Sequence, residues 1–97
     1  MNSTISFIVT LDVQENQLVT QRCVGFYPDY EEAAHTVCEN VCDIYEGIYN
    51  YAVIIEIPYG LYPCDTVTHW FQITENDTYK EIEEPEFAKY IDILQIV

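Results

Sequence analysis

Ile5, Phe7, Val9, Leu11 and Val13 are apolar, and the residues between them are mostly polar. A period of two matches the alternation of side chains across a pleated strand, so it predicts a half-buried strand over Thr4–Val13. Gln14-Glu-Asn-Gln17 is a polar turn, and Leu18–Phe26 completes a hairpin that Pro28 ends. The period then changes. Tyr30, Ala33, Ala34, Val37, Cys38, Val41, Ile44 and Tyr45 recur at spacings of three and four, which predicts an amphipathic helix. Asp29 with Glu32 forms a capping-box signature at its start. Gly47 is the expected left-handed cap, with an earlier end near Asn40 as the alternative.

Beyond the helix, Tyr49–Ile57 is apolar at both parities and predicts a central strand covered on both sides. Pro58–Pro63 reads as a loop, Thr66–Thr74 as a strand, Glu75–Thr78 as a turn and Tyr79–Glu83 as a short return strand. Pro85 suits the first turn of a final helix carrying Phe87, Tyr90, Ile91 and Leu94. The expected fold class is α+β, in the order ββαβββα. One antiparallel sheet carries a main helix and a short C-terminal helix, both on one face. The 97 residues fit a single domain, 1–97.

Charge bounds function. Seventeen Asp and Glu face three Lys and Arg, for a net charge of -14. Phosphate-binding surfaces need cations, so direct nucleic-acid binding is excluded as an expectation, and so is docking on an anionic membrane. The first ten residues lack a basic segment followed by a long apolar run, and no segment approaches the length of a bilayer span. The expected location is therefore the cytoplasm, with Cys23, Cys38, Cys42 and Cys64 as reduced thiols.

No Lys or Arg falls between Arg22 and Lys80, while ten acids do. On a helix running to Tyr45 and beyond, Glu32, Glu39, Asp43 and Glu46 form a row opposite the apolar stripe, with Glu31 beside it. Such a row repeats on the scale of DNA phosphates. Glu81, Glu83, Glu84 and Glu86 form a second block, with Glu75 and Asp77 ahead of it. A solvated face explains one such row; two blocks at this charge density repel one another unless a basic partner compensates. Tyr59 and Tyr62, in the proline-bounded loop, are candidate interface aromatics.

Other chemistry is weakly supported. His35, Cys38 and Cys42, with Cys64 or His69, offer zinc-binding residue types without a loop knuckle. A negative surround disfavours a Cys–His nucleophile. The carboxylate pairs are expected to be exposed, and no glycine-rich phosphate loop is present. Neither enzymatic activity, a cofactor nor a metal is expected.

Arg22-x-x-Gly25-Phe26-Tyr27, Glu31-Glu32-Ala33, Asn50-Tyr-Ala-Val-Ile54, Gly60-Leu-Tyr-Pro63, Trp70-Phe71 and Pro85-Glu86-Phe87 resemble a group of small acidic bacterial and prophage accessory proteins. The resemblance carries no activity across; it implies a mobile-element origin, and such genes often encode inhibitors of host defence, including anti-CRISPR proteins. If phage-encoded, the chain would act in the host cytoplasm. The leading expectation is a non-enzymatic inhibitor that presents a nucleic-acid-mimicking acidic surface to the basic cleft of a defence protein. Two alternatives are a sponge for a nucleotide signal, stacking on the tyrosines and Trp70, and an interaction domain that binds through an apolar sheet edge.

Overall fold

The computed structural model describes residues 4–41, 47–58 and 67–90. Five strands, β1 (Thr4–Gln14), β2 (Gln17–Tyr27), β3 (Tyr51–Pro58), β4 (Val67–Ile73) and β5 (Tyr79–Ile82), form one sheet in the order β2-β1-β3-β4-β5. Every neighbouring pair is antiparallel. Helix α1 (Tyr30–Cys38) lies between β2 and β3 in sequence. Since β2 and β3 both run against β1, they are parallel to each other, and α1 belongs to the crossover that carries the chain over β1. A 3-10 helix (Glu86–Tyr90) closes the described chain.

The hairpin turn is the two-residue kind. Gln14 pairs with Gln17, and Glu15 and Asn16 both take positive φ (54° and 64°). Both residues are left-handed, which matches the twist of the flanking strands.

Strand alternation splits the core into two layers. Ile8, Ala52, Ile54, Phe71 and Tyr79 point to one face and pack with Ala33 and Val37 of α1. Val9, Leu11, Val13, Val53, Ile55 and Trp70 point to the other, where Phe87 and Ala88 of the 3-10 helix cover them. The final helical element thus lies on the face opposite α1, not beside it as expected. Phe87 follows Trp70, whose parity along β4 is opposite to that of Phe71. Their rings meet edge to face with centroids 6.0 Å apart.

Two further expectations change. β1 is buried on both faces rather than half-buried, because α1 covers one face and the layer that includes Leu18, Tyr51 and Phe87 covers the other: Ile8, Val9, Thr10 and Leu11 are all inaccessible. Helix α1 stops at Cys38, short of the longer expected span and close to the alternative end. Asp29 caps its start, accepting from the Glu31 N–H at 3.2 Å. At its end Asn40 takes the left-handed position (φ 50°) and its N–H donates to the Val37 carbonyl. Its side-chain amide also donates to the Asp77 carbonyl at 2.7 Å, tying the helix end to the β4–β5 turn. Asn tolerates left-handed backbone, and the tertiary bond fixes it there. Gly47 has the expected positive φ (74°) but caps no part of α1. Val41, expected in the buried stripe, is exposed.

Candidate functional site

The helix packs across the sheet, against β1, β3, β2 and β5, and its end brings together acids that are far apart in sequence. Glu31, Glu32 and Glu39 are all exposed. Glu32 and Glu39 are seven residues apart, so they share one side of the helix about 10 Å apart along its axis. Glu39 is the C-cap, so the row expected to run on through Asp43 and Glu46 is not continued on α1. Asp43, Glu46, Tyr59 and Tyr62 lie outside the described residues.

Asn40 then joins the helix end to the turn bearing Glu75 and Asp77, both exposed. That turn is closed by Thr74 and Thr78: the Thr74 N–H donates to the Thr78 carbonyl at 2.7 Å, and their hydroxyls are 2.9 Å apart. It delivers the chain into β5, where Glu81 shares the α1 face with Phe71 and Lys80 turns to the other face.

Beneath the helix, Glu56 of β3 and His69 of β4 face Glu81. Glu56 Oε2 lies 2.6 Å from His69 Nε2, and Glu81 Oε2 lies 3.9 Å from His69 Nδ1. The Tyr30 ring packs on the imidazole at a centroid distance of 4.3 Å. The field of these acids is felt locally. Burial pushes the Cys38 thiol up, and Glu81 and then Glu39 push it further. Burial also raises the Tyr30 phenol, followed by Glu81, Glu56 and Cys38. One cysteine senses carboxylates from both sequence blocks, so the two blocks form one acidic flank.

None of the three Lys and Arg lies beside this flank on its own face of the sheet. Arg22 is on β2 at the opposite edge, Lys80 faces the other side of the sheet, and Lys89 is in the 3-10 helix packed on that other side. The second acidic block divides. Glu81 joins the flank, Glu83 and Glu84 are exposed on the segment leaving β5, and Glu86 starts the 3-10 helix.

Sequence reasoning found most of these acids but missed the Glu56–His69 pair. Its only sequence signal is an acid and a histidine at inward parities of two strands, which does not reveal that Ile54 pairs with His69 and Glu56 with Val67.

The residues weighed for metal binding separate. His35 is exposed, Cys38 is half-buried, His69 is held by Glu56, and Cys42 and Cys64 lie outside the described residues. Among the described residues no group of three or more His, Cys, Asp or Glu is arranged to hold a metal ion. Trp70, a candidate stacking platform, is only 2% exposed, wedged between Tyr51 and Phe87. The shallow depression nearby is lined by Asn16, Tyr51, Glu86 and Phe87, and its charged side chain is a carboxylate. That lining repels a phosphate. No helix among the described residues is long and apolar enough to cross a membrane.

No protein-family model, curated protein or solved structure matches the chain.

Proposed function

We propose that this chain is a non-enzymatic inhibitor of the kind carried by phages and prophages, which offers carboxylates in place of phosphates to a basic nucleic-acid-binding surface. The concrete partner class is a nucleic-acid-binding defence protein such as a CRISPR effector, met in the host cytoplasm. The observation that carries the reading is the acidic flank itself. Glu32 and Glu39 of α1, Glu75 and Asp77 of the turn and Glu81 of β5 gather toward one side of the sheet, while Lys80 and Lys89 lie on its other face and Arg22, which shares the α1 face opposite Thr10, is on β2 at the far edge. Glu31, Glu83, Glu84 and Glu86 extend it around the edge. A cleft shaped for a polyanion desolvates and pairs such a row, and long-range attraction speeds encounter.

The nucleotide-sponge alternative loses support, because Trp70 is buried and the nearby depression is acidic.

The test uses an RNA-guided nuclease, its target DNA and the triple variant Glu32→Gln/Glu39→Gln/Glu81→Gln. Removing like charges leaves the fold intact or slightly stabilised. The wild-type chain lowers DNA binding by the nuclease, and added DNA reverses this. Its association rate falls more steeply than the variant's as salt rises from about 50 to 200 mM, since screening acts on the interaction that the variant has lost. Simultaneous binding of chain and DNA, or equal salt slopes, refutes the reading.

A further inference from the structure

We propose that the outer edge of β2 pairs with β2 of a second copy of this chain, making a two-fold dimer with one continuous ten-stranded sheet. In the sheet order β2 has β1 on one side, and no described strand on the other. Such an edge presents backbone donors and acceptors that another strand can complete.

Charge selects the occupant. The other edge strand, β5, holds Glu81, follows Glu75 and Asp77, and precedes Glu83 and Glu84, so two copies would repel there. Strand β2 has no Asp or Glu in 11 residues, and its one charge is Arg22. On a chain of net charge -14 it is the strand edge along which a second, equally acidic copy can approach without opposing carboxylates. The edge also carries exposed apolar surface, with Val19 at 61% and Phe26 at 66% exposure, and Cys23 is exposed between them.

The ladder with β1 has register shifts between Ile8 and Val9 and between Asp12 and Val13. Irregularities of this kind blunt an edge. Between them Thr20–Cys23 stays in regular register opposite Asp12–Val9. That four-residue stretch is the pairing segment, with Val19 and Phe26 as its apolar flanks.

Two-fold pairing of identical edge strands is necessarily antiparallel. Residues opposite each other then point to the same face, so both copies of α1 lie on one side. The two acidic flanks end up at opposite ends of the sheet, about 43 Å apart for nine strand spacings before twist. The pairing itself does not depend on what the flanks bind.

The test is sedimentation equilibrium of the full chain over protein concentration up to about 1 mM, repeated from about 20 to 500 mM salt. The dimer population rises with concentration and also rises with salt, because salt screens repulsion between two acidic copies. This salt trend is opposite to that expected for the inhibitor's basic partner, so the two readings fail separately. Val19→Glu/Phe26→Glu weakens association about tenfold or more, as does Arg22→Glu, while Lys80→Glu on β5 leaves it unchanged. Circular dichroism verifies that each variant keeps its sheet. A chain that stays monomeric throughout, or a dimer lost with Lys80→Glu but kept in both β2 variants, overturns the proposal.

Discussion

Asn50 should be among the most costly polar side chains to lose. It precedes β3 and continues the β1–β3 ladder with its side chain. The amide donates to the Val13 carbonyl at 2.8 Å, and its oxygen accepts from the Val13 N–H at 2.9 Å. Its own N–H donates to the Leu11 carbonyl, and its carbonyl accepts from the Ile73 N–H. Replacement by Ala keeps the backbone bonds but strands both Val13 groups in a part-buried site. A net hydrogen bond contributes about 1 kcal/mol, and an unsatisfied buried group costs about 1–3. Water reaches this site in part, so the loss for Asn50→Ala should be about 2–3 kcal/mol. For a domain of this length that lowers Tm by about 10–20 °C. Asn50→Gln carries the same groups one methylene too far out and should lose nearly as much. Urea unfolding followed by fluorescence of Trp70, buried in the native state, measures the difference as a shift in midpoint at constant slope. A loss under about 0.5 kcal/mol for Asn50→Ala would show that water replaces the amide, and the argument from stranded backbone groups would fail.

Two further outcomes follow from the acidic flank. Cys38 is half-buried, with its thiol held protonated by burial and by Glu81 and Glu39, whereas Cys23 is exposed; alkylation at pH about 8 followed by peptide mass mapping should show Cys38 reacting about tenfold more slowly. Glu81→Gln should narrow that gap, and equal rates in the wild type would contradict the local field. Tyr30 and Cys38 have folded values raised above their ordinary 10.0 and 9.0, so their stabilisation is complete below about pH 9 and is lost as pH rises through the raised values. The fall in urea midpoint from about pH 8 to pH 11 should therefore be smaller in Tyr30→Phe than in wild type, and an equal fall would exclude Tyr30 as a contributor.

Local pattern determined the elements of this chain. The two-residue alternation from Ile5 to Val13, the Asp29 cap, the spacing through Val37 and the turn at Glu75–Thr78 depend on neighbours within a few residues, where backbone geometry imposes the period. The strands and the start of α1 therefore appear where the sequence placed them. The -14 charge and the run without cations also needed no fold to be read, because charge is a property of composition. Tertiary structure decided the rest. Whether β1 is half or fully buried depends on what packs on the face opposite α1, where Phe87 and Ala88 arrive from the far end of the chain. Whether the helix ends at Cys38 depends on Asn40 reaching the Asp77 carbonyl, 37 residues away. The side on which Phe87 docks depends on the parity of Trp70 in a strand paired with β3. The acidic flank has the same origin. Glu39 and Glu81 lie 42 positions apart in sequence, and only the crossover that lays α1 across the sheet brings both within electrostatic reach of Cys38. Contacts of that separation are fixed by burying two apolar faces of one sheet at once, a constraint that no short window of sequence contains.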